Sequence, residues 1–273
     1  MAFIGLSHFT AFAFAFAGFV ALAGCPALGR DGHVEVDAEL VIAVDVSYSM
    51  DIDEQRLQRA GYVAAITSPE FLDALKSGAH GKIAIAYMEW AGAADQEIIK
   101  PWTLIDGPES AQAFAGALAE APLRRASRTS ISGGIDKAAR MFVNNGYKGA
   151  RLIIDVSGDG PNNNGRLVTE ARDEAVANGI IINGLPLVDI RPYNSPMDIQ
   201  ELDWYYTDCV IGGPGAFMIP INSKQKFIDA TRTKLVLEIS MPLPVAALDQ
   251  AGDSGGAAHS MHNWRNLMAS LAQ

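Results

Sequence analysis

Three short stretches of this chain carry oxygen-bearing side chains at spacings that suit a hard cation. The first is Asp45-Val46-Ser47-Tyr48-Ser49. In an extended turn, residues two apart point to one side, so Asp45, Ser47 and Ser49 form a set of one carboxylate and two hydroxyls. The second is Arg128-Thr129-Ser130-Ile131-Ser132-Gly133-Gly134-Ile135, where Thr129 offers another hydroxyl. The third is Val156-Ser157-Gly158-Asp159-Gly160, where Asp159 offers the second carboxylate. An all-oxygen set suits Mg²⁺ best, with Mn²⁺ or Ca²⁺ as alternatives, and does not suit Zn²⁺, which prefers nitrogen and sulfur. Only two carboxylates face the cation, so it keeps its appetite for an external carboxylate.

The elements around these stretches alternate between strand-like and helix-like patterns. Leu40–Val44 is a short continuous apolar run, as in a parallel strand buried on both faces. Further strands are expected at Lys82–Trp90, Glu97–Leu104, Arg151–Ser157, Ile180–Leu185 and Ala216–Ile219, with Pro101 marking Glu97–Leu104 as a sheet edge. Helices are expected at Glu54–Thr67, which Pro69 ends, at Ser110–Ala119, and from a cap at Ser130 or Ser132 to about Asn144. Others run from Asn164 or Gly165 to Asn178, over Leu202–Thr207, and over Ser223–Leu237. Strand–helix alternation implies an α/β fold with a mostly parallel sheet covered on both faces. In such sheets ligands bind beyond the carboxyl ends of the strands, where all three stretches fall.

The order DxSxS, then Thr in Thr-x-x-x-Gly-x-Ile, then Asp before Gly after a strand is similar to the metal-ion-dependent adhesion site of von Willebrand factor A domains. Ala43–Ser47, Met88-Glu89-Trp90, Asp155–Asn163 and Cys209–Phe217 resemble a bacterial subgroup of such domains, a family of unknown function termed DUF1194. The resemblance covers roughly Val36 to Ser240. It implies a three-layer, Rossmann-like, doubly wound sheet over residues 34–240, a divalent cation with an open coordination position, and a partner protein whose acidic side chain fills that position. It also implies that Asp51 and Asp53 can form a second cation site, as in integrin β-subunit domains with a similar Asp-x-Ser-Tyr-Ser-Met run. The plainer alternative makes them acids at a helix start, complementing its dipole.

Two rival functions fit parts of the pattern. Haloacid-dehalogenase-type phosphohydrolases use an Asp nucleophile after the first strand, here Asp45, and a later Gly-Asp-Gly-x-Asn-Asp, here Gly158-Asp159-Gly160-Pro161-Asn162-Asn163. They need a second Asp two residues after the nucleophile for acid–base work, and Ser47 stands there. The other rival is a structural envelope protein whose cation only stiffens the loops. Other catalytic signals are weak. The histidines stand at 8, 33, 80, 259 and 262, outside the three stretches. Glu89 and Trp90 either line the site or end the sheet. Gly212–Gly215 reads as a tight approach to the last strand rather than a phosphate cradle.

Composition fixes the setting. The chain has 273 residues, 49% hydrophobic and 19% charged, enough for a buried core. Its net charge of −10, with no notable Lys/Arg cluster, argues against a nucleic-acid partner. Phe9 to Leu28 carries no charge and contains Leu22-Ala23-Gly24-Cys25, which resembles the lipobox of bacterial lipoproteins. Residues 1–25 are therefore expected to be an export signal with Cys25 lipidated, placing the protein in the periplasm or anchored in the bacterial envelope. The lack of Lys or Arg before the apolar run departs from that pattern, so an ordinary signal peptide or an uncleaved anchor stays open. Lipidation of Cys25 leaves Cys209 alone, without a disulfide, as a buried small hydrophobe rather than a reactive thiol. Residues 241–273 read as a flexible tail, with Trp264, Leu267, Met268 and Leu271 at the spacing of a small amphipathic helix.

Overall fold

A computed structural model of the chain describes residues 32–188, 199 and 201–240. The export segment with Cys25 and the tail 241–273 lie outside the described residues.

Apolar runs too continuous for a half-exposed strand become the middle of the sheet. β2 (Glu39–Asp45) and β3 (Ile83–Trp90) are buried at every position. With β4 (Gln96–Ile105), β6 (Leu152–Gly158) and β7 (Ile180–Pro186) they form a five-stranded sheet in the order β4-β3-β2-β6-β7. All neighbours are parallel except β3 and β4, and β4 is the edge that Pro101 required. A second, two-stranded sheet pairs β1 (Val34–Val36) with β5 (Tyr147–Gly149), both too short for the sequence pattern to reveal.

Helices cover both faces. α1 (Ile52–Ile66), α2 (Pro69–Ser77), α3 (Pro108–Glu120) and α7 (Phe227–Ser240) pack on Leu40, Ile42, Val44 and Ile85. α4 (Ile131–Met141), α5 (Val168–Ala177) and α6 (Leu202–Tyr205) pack on Val41, Ala43, Met88 and Val156. The alternation of β2 side chains between the two cores is the three-layer, doubly wound arrangement expected. From β2 the chain moves first to β3 on one side and later to β6 on the other, so the order reverses between β2 and β6. The crevice at such a reversal is where ligands bind in open α/β sheets.

Several local expectations change. Pro69 ends α1 but also occupies the first turn of α2, which Ser68 caps by accepting from the Phe71 N–H. Proline lacks the N–H that a first turn leaves unused anyway. Ala216–Ile219 is not a regular strand and meets β7 only in isolated bridges at Gly184–Met218 and, beyond it, Leu187–Ile221. Gly213 and Gly215 hold left-handed φ values of +94° and +77°, and Pro220 has no N–H to donate, so no ladder propagates. α5 begins at Val168 rather than Asn164 or Gly165. A π-helical turn, Tyr206–Val210, continues α6. Cys209 is free and half-buried rather than fully enclosed. Among the described residues no helix is long and apolar enough to cross a membrane.

One interior cluster is charged. Lys234 of α7 lies 2.5 Å from both Asp155 Oδ1 of β6 and Glu238 Oε1, one turn along α7, and all three side chains are fully buried. Asn183 Nδ2 donates to the same Glu238 oxygen at 3.0 Å, and Tyr62 reaches Asp155 from α1. Burial and the Asp155 charge raise the Glu238 carboxyl to about 7, against the pull of Lys234. A carboxyl raised on folding contributes stability at pH below its unfolded value of 4.5, and loses that contribution as pH climbs through about 7. Urea unfolding is therefore expected to show wild-type stability falling between about pH 5 and pH 8 relative to Glu238→Gln. Parallel curves for the two proteins would contradict this.

Candidate metal centre

The strand ends bring two of the three sequence stretches into direct contact. β2 ends on Asp45, which is fully buried, and the chain turns back at once: the Ser47 N–H donates to Asp45 Oδ1 at 2.7 Å. Ser47 Oγ and Ser49 Oγ share a hydrogen bond of 2.6 Å, and Ser49 Oγ donates to Asp159 Oδ1 at 2.6 Å. Asp159 follows β6, the neighbour of β2. The four side chains thus form one chain of oxygens across the crevice. Asp45 Oδ2 is buried with no hydrogen-bond partner among the described residues. Burial, and then the Asp159 carboxylate, push the Asp45 carboxyl well above the usual range, although the Ser47 N–H opposes this.

The Thr129 loop joins them through the backbone. The Ala126 N–H donates to the Val46 carbonyl at 3.0 Å, and the Ser130 N–H to the Ala91 carbonyl at 2.6 Å. Ser130 caps α4 by accepting from the Gly133 N–H. Arg128, just before Thr129, takes a left-handed φ of +76°, an uncommon conformation for a residue with a side chain. Asn163 clamps Thr129 from the Asp159 loop: its Oδ1 accepts from the Thr129 N–H at 2.9 Å and its N–H donates to the Thr129 carbonyl at 2.8 Å. Asn162 Oδ1 accepts from the Ser132 N–H, and Asn164 Oδ1 from the Ala93 N–H. The three asparagines stitch the Asp159 loop to both neighbouring loops, so Asn163 here does loop work rather than the metal-ligating work of a phosphohydrolase Asp. The sequence signals these asparagines only as good turn and cap residues.

The acids after the motif form a helix start. Asp51 Oδ1 accepts from the Asp53 and Glu54 N–H groups, and Glu54 reaches back to the Asp51 N–H, a reciprocal cap of α1. Asp53 is exposed and pairs with Arg56 at 2.8 Å. Glu89 lies inside the protein rather than lining the crevice. It is salt-bridged to Arg59 of α1 and, at 3.2 Å, to Arg124 of the loop before α4. Arg124 in turn bonds Asp95 at 2.7 Å, so this network fixes the loop that carries Thr129. Trp90 lies beneath Gly134, where an added Cβ would meet its ring at 3.0 Å.

Among the described residues no three His, Cys, Asp or Glu side chains gather at a metal-binding spacing. A cation here would be held by two carboxylates and hydroxyls, a hard oxygen set of the kind Mg²⁺ takes while keeping waters. The buried, unbonded Asp45 oxygen and the repulsion between Asp45 and Asp159 are what a cation would relieve, so the residues present fit one.

The fold is that of von Willebrand factor A domains. Proximal thread matrix protein 1 from the mussel byssus is 13% identical, with a TM-score of 0.53 over 76% of this chain and 48% of that one. A further structure of it has a zinc-occupied adhesion-site motif, at 13% identity and a TM-score of 0.51 over 76% of this chain and 48% of that one. The pilus adhesin SpaC of Lactobacillus rhamnosus GG is 13% identical, with a TM-score of 0.54 over 75% of this chain and 31% of that one. A von Willebrand factor type A protein from Catenulispora acidiphila is 15% identical, with a TM-score of 0.51 over 75% of this chain and 43% of that one. The chain spans less than half the length of each. No curated protein matches the sequence. The DUF1194 family, described as proteins of unknown function, matches residues 35–243, and the chain belongs to it.

Proposed function

We propose that this protein is a divalent-cation-dependent protein-binding module of the bacterial envelope. Asp45, Ser47, Ser49, Thr129 and Asp159 hold the cation, Mg²⁺ by preference, and a carboxylate of a partner protein completes its shell. The observation that carries this reading is the continuous hydrogen-bonded run from Asp45 through Ser47 and Ser49 to Asp159, at the point where the strand order reverses. The coarser part, a metal-dependent adhesion-type fold, agrees with the metal-bearing motif of the mussel protein. The donor set, which lacks nitrogen and sulfur, supports a hard cation such as Mg²⁺, Mn²⁺ or Ca²⁺.

The chemistry of recognition is electrostatic. A cation bound by two carboxylates and neutral hydroxyls stays attractive to a third carboxylate, and bound water is the group exchanged. Tyr48, 61% exposed with Arg125 stacked on its ring, stands beside the site as a contact surface that is apolar on one face and cationic on the other. The uncharged segment from Phe9 and the Cys25 motif support a setting outside the cytoplasm, with attachment through lipid or an anchor.

Calorimetry tests the reading with the purified chain. Mg²⁺ or Mn²⁺ is expected to bind, and a Glu-containing peptide library to bind only with the cation present, while Gln counterparts fail. No heat with Mg²⁺, Mn²⁺ or Ca²⁺ would sink it. Hydrolysis of a phosphomonoester, lost in Asp45→Asn, would replace it with the phosphohydrolase reading.

A further inference from the structure

Tyr206 is a buried tyrosine that no motif indicates. It opens the π-helical turn Tyr206–Val210, and short π-helical segments recur at functional sites. Its ring is fully buried, and its hydroxyl has no hydrogen-bond partner among the described residues. Leaving a buried hydroxyl unbonded is costly, which makes such a group a candidate for use. The only carboxylate oxygen of Asp45 without a partner is in the same place. A Cβ added at Gly158 would stand 3.0 Å from Asp45 Oδ2 and 3.1 Å from the Tyr206 hydroxyl. Two orphaned oxygens therefore converge on one point, which the missing side chain of Gly158 leaves open.

The turn is held in place from three sides. The Tyr205 hydroxyl accepts from the Asn162 N–H at 3.1 Å, Arg172 donates to the Asp208 carbonyl at 2.7 Å, and the Ile211 N–H closes the turn onto the Tyr206 carbonyl at 2.9 Å. Asn162 belongs to the Asp159 loop, so the turn and the loop are coupled. Gly184 gives the ring its room, since a Cβ there would meet Tyr206 Cδ1 at 2.7 Å.

We infer that Tyr206 is a positioning residue of the cation centre: once the cation is bound, its hydroxyl donates to Asp45 Oδ2 through one water held over Gly158 and fixes the carboxylate for the cation. This rests on the cation-binding reading above. Outer donors of this kind are worth about 10–100-fold in metal affinity. The Tyr206→Phe protein keeps the ring and loses the donor. Calorimetric Mn²⁺ titration of the full chain is expected to show binding weakened about 10–100-fold. Cation-free thermal midpoints should be unchanged or slightly raised, because an unbonded hydroxyl has been removed. Gly158→Ala, which fills the shared point, should weaken Mn²⁺ in the same way. A near-ultraviolet tyrosine difference band on Mn²⁺ addition should appear in the wild type and vanish in Tyr206→Phe. Wild-type Mn²⁺ affinity in Tyr206→Phe, with the wild type itself binding, would overturn the role of Tyr206 alone. A wild type that binds no cation would overturn both readings. A lower cation-free midpoint in Tyr206→Phe would make the hydroxyl structural.

Discussion

Asp45→Asn is expected to produce a protein that is more stable than the wild type without cation and indifferent to cation when it is added. The two halves of this result have one cause. Asp45 is fully buried beside Asp159, and both burial and that neighbour disfavour its charge. A carboxyl whose folded pKa lies above its unfolded value of 3.8 contributes stability at low pH and loses it as pH rises. At neutral pH the cation-free wild type therefore carries the cost of a buried, repelled carboxylate, and Asn does not. Asn also keeps an oxygen for the Ser47 N–H. Cation at 100 times its dissociation constant should stabilise the wild type by about 2.7 kcal/mol. At about 2–4 °C per kcal/mol for a protein of this size, the thermal midpoint should rise by about 5–10 °C. In Asp45→Asn that rise should disappear. Scanning calorimetry with chelator and with excess Mg²⁺ reads both effects. A cation-dependent rise retained in the variant would show that Asp45 is not a ligand; a lower chelated midpoint would show that its charge is satisfied within the protein.

The legibility of this site in the sequence follows from where each residue gets its neighbours. Asp45, Ser47 and Ser49 are two apart on one loop, and the apolar run Leu40–Val44 announces the strand that ends there, so a local pattern suffices. Asp159 is legible for the same reason, at the end of β6. Other functional residues are defined by contacts that no local pattern encodes. Tyr206 reaches Asp45 from a turn far along the chain, and its signal is a tyrosine in a short helix, no different from a core aromatic. Asn162, Asn163 and Asn164 suggest a helix cap, because short polar side chains bond nearby backbone, yet the first two bond the Thr129–Ser132 stretch and the third the loop after β3. α1 hides most. Its inward face carries Gln58, Arg59 and Tyr62, which meet Ser157, Glu89 and Asp155 on the strands. A search for apolar periodicity passes over a buried polar stripe, since its partners are strand residues that themselves look like interruptions in apolar runs. The expected strand at Ala216–Ile219 fails in the opposite sense: β-forming side chains are present, but the glycines and Pro220 around them deny the ladder.

Lys234→Met is expected to cost about 3–5 kcal/mol, the loss typical of removing one partner from a buried ion pair. Lys234 is salt-bridged to both Asp155 and Glu238, and all three are fully buried. Without it two carboxyls face each other in the interior, and one must take up a proton or open the packing of α7 on β6. The position matters because α7 meets the sheet through a mixed face. Phe227 and Leu235 are apolar, while Thr231, Lys234 and Glu238 between and beyond them are polar and equally buried. Phe227 also packs within 3.0 Å of the point where a Cβ on Gly61 of α1 would stand, so α7 anchors α1, whose first turn follows the DxSxS loop. Loosening α7 thus reaches the cation site through α1. The ion cluster can be separated from simple packing by neutralising the whole set. Lys234→Met combined with Asp155→Asn and Glu238→Gln should recover most of the loss, because a buried set without charge has no carboxylate that must take up a proton. Urea unfolding of the single and triple variants measures the difference. A single variant costing less than about 1 kcal/mol, the scale of an exposed pair, would mean that the carboxyls have another counter-charge. A triple variant as weak as the single would mean that the lysine stem, not its charge, holds α7 to the sheet.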